Sequence, residues 1–320
     1  MINLPLPEHP RIIFMGTPDF AVPSLRCLID SGMDITVVTQ PDRPKGRGRG
    51  IVAPPVKELA IQHGLQVLQP EKASDPAFVS EIRSIAPALI IVVAFGQILK
   101  TPILKIPPWG VINIHASLLP RHRGAAPIQR AIIEDEALTG LTIMRVEEGL
   151  DTGAILYQKE APIEKDETAG HLHDRLSSMS GPFLMEFFTE LSRGRVLETP
   201  QDHGLATYAA KIDKEIQRID WGREAKEISA LIRGLDPFPG AFTVLQGNNI
   251  KLYSSTVTND TLAHGVPGRM IDAAEGVLHI ETKRGIVGVK EIQYPGKKRL
   301  PVKEFLRGFN LPYGTIFGKQ

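Results

Sequence analysis

The sequence has little cysteine, few aromatic residues and no long apolar run. Its 320 residues include one cysteine, two tryptophans and 6% aromatic residues in all. A lone Cys27 excludes an internal disulfide, and we expect it to pack as a small buried apolar side chain on the first helix. No run approaches the roughly 18 apolar residues of a membrane span, and the N-terminal MINLPLPEHP lacks the pattern of a signal peptide. We therefore expect a cytoplasmic protein.

The chain as a whole also lacks an excess of charge of either sign. Its 37 basic and 36 acidic side chains nearly cancel, and 42% apolar residues are typical of a globular protein rather than a disordered one. The balance hides an asymmetry, because residues 1–209 carry 20 basic and 24 acidic side chains whereas residues 210–320 carry 17 and 12. The C-terminal part is therefore net positive and suited to a polyanion.

Strand-like and helix-like segments alternate in the N-terminal part, which indicates an α/β domain with a mostly parallel sheet flanked by helices. The run ALIIVVA at residues 88–94 has no polar alternation, so it suits a central strand buried on both faces. The other predicted strands are 11–15, 34–40, 111–117, 141–146 and 154–163. The predicted helices are 17–32, with Thr17 as its cap and Gly32 as its stop, 54–64, 75–86, 126–136 and 167–194.

The C-terminal part has a different pattern. Residues 199–215 are polar, show no clear periodicity and predict a linker, so we divide the chain into domains 1–206 and 207–320. One helix, 223–234, is followed by β-rich segments at a spacing of about 8–12 residues, which suggests a small barrel or sandwich. We expect Trp221 and Phe238 in this part to be core residues rather than platforms for base stacking.

Two polar side chains with catalytic chemistry lie near the end of the predicted strand VINIHAS. Strand alternation places Asn113, His115 and Ser117 on one face, with Ile112 and Ile114 on the other. The carboxyl end of a parallel strand is where open α/β sheets bind their ligands. An amide donor beside an imidazole is suited to holding an oxyanion and moving a proton, although a solvated edge strand would show a similar polar face.

A carboxylate, Asp151, lies between two glycines in GLDTG at residues 149–153. A tight loop there would bring it to the same edge of the sheet, where it would orient His115 and favour the charged ring. The Asp-Thr-Gly triplet also occurs in aspartic proteases, but those require two such carboxylates in a mostly β protein. This sequence has one such triplet and clear helical segments, so we do not favour a protease.

The combination of NIHASLLPRHRGAAP at residues 113–127 with GLDTG resembles the folate-dependent formyltransferases. Among them the chain is most similar to those that formylate methionyl-tRNA, through motifs spread along its whole length. These motifs are FMGTPDF at 14–20, TQPDRPKGRG at 39–48, TYAAK at 207–211, IDW at 219–221 and GKK at 296–298.

The resemblance implies a Rossmann-like formyltransferase domain and a C-terminal OB-like β-barrel domain that binds tRNA. It implies that Asn113, His115 and Asp151 are catalytic, that the donor is 10-formyltetrahydrofolate and that the acceptor is the initiator methionyl-tRNA. The residues implied for folate binding form two loops: Val93, Ala94, Phe95 and Gly96, and Ser117, Leu118, Leu119 and Pro120. Phe95 would supply an apolar wall. The reaction would need no metal, and no obligate protein partner is evident.

Basic residues cluster in two places that the resemblance assigns to tRNA. Residues 43–49 alternate cations with proline and glycine, which predicts a loop that cannot pack but can reach phosphates. A second cluster lies near the C-terminus. The residues implied for tRNA binding are Arg43, Lys45, Arg47, Arg49, Lys211, Lys297, Lys298 and Arg299. For either cluster the alternative is a solvated surface.

Other functions remain open at this point. The nicotinamide fingerprint is absent, because Gly16 stands alone after the first strand, so an NAD cofactor is not expected. His171 and His173 diverge on a helix and lack a third ligand, which argues against a metal site. The competing functions are a folate-dependent formyltransferase or hydrolase acting on an amino sugar nucleotide or on water, and a non-catalytic RNA-binding protein. The basic clusters argue against the first, and the amide, imidazole and carboxylate argue against the second.

Overall fold

A computed structural model describes residues 10–45, 50–263 and 265–319. The chain divides into two compact units. Unit 1 contains the residues up to Gly124 together with Thr139–Ala161 and His173–Tyr208. Unit 2 contains Ala125–Leu138, Pro162–Leu172 and the residues from Ala209 onward. The predicted single boundary near residue 206 differs from this division, since two short segments of the predicted domain 1–206 belong to unit 2.

The strands are β1 (Arg11–Gly16), β2 (Asp34–Val38), β3 (Arg43–Lys45), β4 (Gly50–Val52), β5 (Gln66–Leu68), β6 (Leu89–Val93), β7 (Val111–His115), β8 (Arg123–Gly124), β9 (Leu138–Arg145), β10 (Ile155–Pro162), β11 (Tyr208–Ala209), β12 (Ala241–Leu245), β13 (Asn248–Ala263), β14 (Met270–Asp272), β15 (Leu278–Glu281), β16 (Arg284–Gln293) and β17 (Arg299–Pro301). The α-helices are α1 (Val22–Asp30), α2 (Pro55–Gln62), α3 (Pro76–Ile85), α4 (Thr101–Leu104), α5 (Pro127–Ile133), α6 (Ala169–Ser192), α7 (Ala225–Gly234) and α8 (Val302–Gly308). None of the helices among the described residues is both long and apolar enough to cross a membrane.

The main sheet of unit 1 is seven-stranded, in the order β10-β9-β7-β6-β1-β2-β5. The pairs from β7 to β5 are parallel, whereas β9 runs antiparallel to β7. The predicted central strand is confirmed, because β6 lies between β7 and β1 and four of its five residues are buried. The chain fills the sheet on one side of β1 with β2 and β5 and then passes to β6 on the other side. Ligands bind open α/β sheets beyond the carboxyl ends of strands at such a switch point.

The first helix begins later than we predicted. Asp19–Ala21 form a 3₁₀ turn and α1 starts at Val22, with Pro23 in its first turn. Thr17 does not cap the helix, because its hydroxyl donates to the carbonyl oxygen of Phe95 at 2.9 Å. Cys27 lies on α1 as predicted but is half-buried, and burial raises the pKa of its thiol.

Glycine at residue 16 is required by close packing at the end of β1. A Cβ there would lie 2.8 Å from the ring of Phe14, 2.9 Å from the Cβ of Ala21 and 3.1 Å from the carbonyl oxygen of Val93. A larger residue would therefore push β1 and β6 apart at the switch point.

The base of the basic segment 43–49 is structured, contrary to the prediction of an unpaired loop. Arg43–Lys45 pair in antiparallel register with Gly50–Val52, which we did not predict to be a strand. The predicted tRNA-binding residues Arg47 and Arg49 lie outside the described residues, as does the side chain of Lys45. The edge strand β5 was also missed, since three residues are too few to show periodicity.

The predicted linker 199–215 is ordered at its beginning. The backbones of Thr199 and Ile155 bond each other at 2.8 and 2.9 Å, and Gln201 is buried. A 3₁₀ turn at His203–Leu205 is followed by β11. The beginning of the segment shows no periodicity because single hydrogen bonds, rather than a helix or a long strand, hold it to unit 1.

Unit 2 is built on an antiparallel sheet in the order β12-β13-β16-β15-β14, with β17 beside β16. The hairpin between β12 and β13 turns on Gln246 and Gly247, which both have positive φ as a two-residue turn requires. Helix α7 packs its buried face into the core of this sheet. An antiparallel C-terminal domain is thus confirmed, as are the helix near 223–234 and the β-rich segments after it.

The two aromatic residues expected in this core differ. Trp221 is 5% exposed, packs against Phe317 and donates its indole N–H to the Thr243 hydroxyl at 2.9 Å, so that prediction is confirmed. Phe238 is 79% exposed, so the prediction for it is wrong. It lies between Pro237 and Pro239 in a turn, where the backbone does not follow a strand or helix period that would direct the ring inward.

Candidate functional site

The candidate site is at the carboxyl end of β7, in unit 1. Asn113 pairs in register with Val92 of β6 on one side and Met144 of β9 on the other, so it lies between two neighbouring strands. His115 is the last residue of β7 and is 6% exposed. The predicted position at the carboxyl end of the strand is therefore confirmed for His115, whereas Asn113 lies two residues earlier, in the middle of β7. Ser117 lies beyond the strand end.

A backbone carbonyl orients the ring of His115. Its Nε2 is 2.9 Å from the carbonyl oxygen of His122, and because a carbonyl only accepts, Nε2 carries the hydrogen. Its Nδ1 is 3.7 Å from Oδ2 of Asp151, which is within ion-pair range but too long for a direct hydrogen bond. The ring therefore has one nitrogen committed to the backbone and one facing the carboxylate.

Asp151 is held in place by the backbone around it. The residue has φ of +51°, a conformation that Asp and Asn adopt more readily than most side chains. A Cβ on Gly149 would lie 2.2 Å from Oγ1 of Thr152, and one on Gly153 would lie 2.1 Å from the carbonyl oxygen of Arg145. Both flanking glycines are thus required, and the tight loop that we predicted is confirmed.

The same carboxylate oxygen serves two neighbours. Oδ2 of Asp151 accepts the backbone N–H of Gly124 at 2.8 Å and also faces Nδ1 of His115. The hydrogen bond from Gly124 fixes the Asp151 carboxylate, so its negative charge stays beside the His115 ring during a proton transfer. An amide, an imidazole with one available nitrogen and a fixed carboxylate can together hold an oxyanion and transfer a proton.

The loop 117–120, predicted to bind folate, is fixed to strands β9 and β10. Thr142 of β9, which pairs with His115, donates its hydroxyl to the carbonyl oxygen of Ser117 at 2.6 Å and accepts the N–H of Leu119 at 3.2 Å. Gln158 of β10 donates to the carbonyl oxygen of Leu119 at 2.9 Å. Ser117 and Leu119 are buried, which leaves the half-buried Leu118 and Pro120 as surface for a ligand.

The loop after β6 presents backbone rather than the aromatic wall that we predicted. Phe95 is 1% exposed and packs in the core of unit 1, and Val93 is also buried. Ala94 and Gly96 are exposed and have φ of +48° and +85°. Ala94 and Gly96 therefore lie at the surface of the loop, while the buried Phe95 ring anchors it to the core and its carbonyl oxygen accepts from Thr17 and Gln40.

Three residues near the site were missed by sequence reasoning or assigned a different role. Arg123, for which the sequence alone indicated no role beyond its place in the motif 113–127, is 1% exposed and donates to Oε1 of Gln201 at 3.0 and 2.6 Å. Thr207 accepts the backbone N–H of His122 on its hydroxyl at 2.8 Å and that of Arg123 on its carbonyl oxygen at 2.9 Å. The motif TYAAK, which begins at Thr207, is the one sequence signal that pointed to this segment.

The hairpin of β3 and β4 is anchored at its first residues by an ion pair. Lys57 of α2 donates to both carboxylate oxygens of Asp42, at 2.9 and 2.7 Å, and to Oε1 of Gln69 at 2.7 Å. The hydrogen bonds from Lys57 and then from Gln69 lower the pKa of Asp42 below its ordinary value. The exposed Arg43 follows this anchor directly, so its position along the chain is fixed while its side chain faces solvent.

The C-terminal basic cluster contains one residue that differs from the rest. Lys297 and Lys298 are exposed, and so is the predicted Lys211. Arg299 is half-buried, donates to Asp236 at 2.6 Å, also contacts Glu291, and lies 4.2 Å from the ring centre of Tyr253. Because these carboxylates compete with any phosphate for its charge, the role of Arg299 stays a prediction, and the exposed lysines are the stronger candidates for nucleic-acid contacts.

Comparison with known proteins shows two matching family patterns. The pattern of the formyl transferase family matches residues 10–187, and that of the formyl transferase C-terminal domain matches residues 211–310. Asn113, His115 and Asp151 all fall within the first match.

Similar proteins cover nearly the full chain. Methionyl-tRNA formyltransferase of Geobacter sulfurreducens is 49% identical over 97% of this chain and 97% of its own length. That of Geotalea uraniireducens is 47% identical over 97% of this chain and 98% of its own. Among solved structures, the N-formyltransferase from Helicobacter canadensis, in complex with folinic acid and dTDP-3-aminofucose, aligns over 89% of this chain and 99% of its own with a TM-score of 0.65 and 18% identity. HypX from Aquifex aeolicus, in complex with tetrahydrofolic acid, aligns over 93% of this chain and 47% of its own with a TM-score of 0.64 and 18% identity.

Proposed function

We propose that this chain, which belongs to the formyl transferase family, transfers the formyl group of 10-formyltetrahydrofolate to the α-amino group of initiator methionyl-tRNA. The observation that carries the proposal is the near-complete overlap with methionyl-tRNA formyltransferases at 47–49% identity. The arrangement of Asn113, His115 and Asp151 at the carboxyl end of β7 supports it, because formyl transfer needs an oxyanion donor and a proton carrier. The product is N-formylmethionyl-tRNA, the species used in translation initiation.

The reaction exchanges one bond for another at the formyl carbon. The amine nitrogen forms a bond to the formyl carbon, and the bond between the formyl carbon and N10 of the folate breaks. One proton moves from the amine to N10. Asn113 donates its amide N–H to the formyl oxygen as negative charge develops there. His115 donates from Nδ1 when that nitrogen is protonated, since Nε2 stays bonded to the carbonyl oxygen of His122.

The carboxylate of Asp151 is proposed to exchange a proton with His115. Its Oδ2 lies 3.7 Å from Nδ1, so its negative charge faces the ring and a proton can pass between the two groups when they approach each other. The bond from Gly124 keeps Oδ2 in this position throughout the reaction. Asp151 and His115 thus form the route by which the proton leaves the amine.

The residues proposed to bind the folate fit a flat apolar ring system with polar edges. The exposed residues Ala94 and Gly96 are proposed to offer backbone hydrogen-bond partners, and the half-buried Leu118 and Pro120 to offer apolar surface. The other four predicted residues are buried, so their side chains hold the two loops in position rather than contact the ligand. These are Val93, Phe95, Ser117 and Leu119. The formyl carbon would then lie at the end of β7.

The tRNA is proposed to contact exposed cations of both basic clusters. Arg43 lies at the base of the hairpin, and Lys211, Lys297 and Lys298 lie in the net positive C-terminal part. Phosphate contacts of this kind position the RNA without reading its sequence. The proposal for Lys45, Arg47 and Arg49 rests on the sequence motif alone.

A comparison of formyl acceptors tests the function. We expect the purified protein with 10-formyltetrahydrofolate to formylate initiator methionyl-tRNA far more efficiently than elongator methionyl-tRNA or free methionine. An amino sugar nucleotide and water serve as the competing acceptors. Formylation of the sugar nucleotide, or release of free formate, at a higher kcat/KM than formylation of initiator methionyl-tRNA would overturn the proposal.

A further inference from the structure

The side chain of Arg123 is a buried charge whose role in the reaction described above is unassigned. It is 1% exposed and is the largest fully buried side chain among the described residues. Its guanidinium donates to Oε1 of Gln201 at 3.0 and 2.6 Å and to Nδ1 of His203 at 3.2 Å. These two partners are an amide oxygen and an imidazole nitrogen rather than carboxylates. Burying a cation without a carboxylate partner is costly, which indicates that its placement serves the structure around it.

The amide of Gln201 connects this cation to the loop of Asp151. Its Oε1 accepts from Arg123, while its Nε2 donates to the carbonyl oxygens of Asp151 and Gly153, both at 2.8 Å. The amide oxygen thus accepts two hydrogen bonds and the amide nitrogen donates two. The two carbonyls flank Thr152, so the amide grips the loop on both sides of its turn.

The backbone next to Arg123 holds the other side of the same carboxylate. Gly124, the next residue, donates its N–H to Oδ2 of Asp151, and the N–H of Arg123 itself donates to the carbonyl oxygen of Thr207. Arg123 and Asp151 are therefore joined twice, through the Gln201 amide and through the Gly124 peptide. A change in the Arg123 side chain would act on the loop through the Gln201 amide, and the bond from Gly124 would report the resulting movement of Asp151.

We propose that Arg123 and Gln201 are positioning residues that set the distance between the Asp151 carboxylate and Nδ1 of His115. Neither Arg123 nor Gln201 contacts the reacting atoms, and the proposal rests on the proposed function. The Arg123 guanidinium fixes which end of the Gln201 amide faces the loop, because its N–H groups only donate and can bond only the oxygen end. The nitrogen end must then point at the two carbonyls.

This arrangement requires glutamine and arginine specifically. A glutamate at residue 201 would form an ion pair with Arg123 but would place its second oxygen against two carbonyl oxygens, at the 2.8 Å now spanned by donors. A lysine at residue 123 keeps the charge but cannot present the planar set of donors that bonds Gln201 and His203 together. We therefore expect each variant to fold but to lose hydrogen bonds that hold the Asp151 loop in place.

The test compares Gln201→Glu and Arg123→Lys with the wild type. We expect kcat for formyl transfer to fall by about 10²-fold in Gln201→Glu, as for other small displacements of catalytic groups, with KM for both substrates changed by less than a few-fold. Arg123→Lys should shift kcat in the same direction. Gln217→Glu is the matched control, because Gln217 also donates to a backbone carbonyl, that of Asp213 at 2.7 Å, but on an exposed segment of unit 2.

A second measurement separates this proposal from the proposed function. The exchange rate of the Gly124 amide hydrogen, followed by NMR, should rise in Gln201→Glu and Arg123→Lys and stay unchanged in Gln217→Glu, because that hydrogen is bonded to Asp151. This readout needs no substrate, so it remains informative if the enzyme acts on another acceptor. An unchanged kcat and an unchanged Gly124 exchange rate in folded Gln201→Glu would overturn the proposal. A fall in melting temperature with kcat retained would assign the two residues to folding alone.

Discussion

Replacing Asp151 by asparagine should disable formyl transfer while leaving the fold intact. Asparagine tolerates the positive φ of this residue, and its side-chain oxygen can still accept the N–H of Gly124. What it removes is the negative charge 3.7 Å from Nδ1 of His115. The substitution therefore isolates the electrostatic role of the carboxylate from its structural role.

The expected magnitude follows from the distance between the charges. Two unit charges about 4 Å apart attract by about 4 kcal/mol at an effective dielectric constant of about 20. Asp151 and His115 are both mostly buried, with 16% and 7% of their side chains exposed, so screening by solvent is modest. Loss of most of this attraction as the ring becomes charged corresponds to a fall in kcat of about 10²–10³-fold.

The assay measures kcat with saturating 10-formyltetrahydrofolate and methionyl-tRNA, together with thermal unfolding. Asp166→Asn is the matched control, because Asp166 is also an aspartate with positive φ, at +60°, but is exposed in unit 2. Both variants should unfold near the wild-type temperature, and only Asp151→Asn should lose activity. A kcat for Asp151→Asn within a few-fold of wild type would refute the reasoning.

Three further predictions concern other parts of the chain. Neutralising the basic residues of segment 43–49 should raise KM for methionyl-tRNA and reduce its salt dependence, with KM for the folate unchanged; equal salt slopes would assign RNA binding to unit 2 alone. Trp221→Ala should destabilise unit 2 by about 3–5 kcal/mol in urea unfolding, whereas Phe238→Ala should change it by less than about 0.5 kcal/mol, since one ring is buried and the other exposed. The lowered pKa of Asp42 means that its contribution to stability is present above the ordinary aspartate pKa of about 3.9 and is lost as the pH falls through the lower folded value. The difference in unfolding free energy between wild type and Asp42→Asn should therefore shrink on acidification below that range, and a difference that stays constant would contradict this.

The arrangement of the three proposed catalytic residues was predictable because their signals are local. Asn113 and His115 share one strand, and the strand's position in the sheet follows from its place after the buried run at 88–94. Asp151 was predicted from the two glycines that tighten its loop. Each inference needed only a few neighbouring residues and the general rule that ligands bind at carboxyl strand ends.

The supporting contacts were not predictable in the same way. Arg123 and Gln201 are 78 residues apart, and His122 and Thr207 are 85 residues apart, so no period or motif joins them. A polar segment without periodicity predicts a linker, yet single side chains such as Gln201 can fix it to a domain. Arg299 illustrates the converse, because a cation in a basic cluster is bound to carboxylates from elements distant in sequence.

The central claim is that the side chains at the end of β7 carry out formyl transfer to methionyl-tRNA. The most direct measurement is the rate of N-formylmethionyl-tRNA formation in a single turnover, with enzyme in excess over initiator methionyl-tRNA, for wild type, Asn113→Ala and His115→Ala. We expect rapid formation by the wild type and a rate lower by about 10²–10³-fold in each variant, as for loss of one oxyanion donor. Absence of N-formylmethionyl-tRNA with wild-type enzyme, or an unchanged rate in both folded variants, would contradict the account.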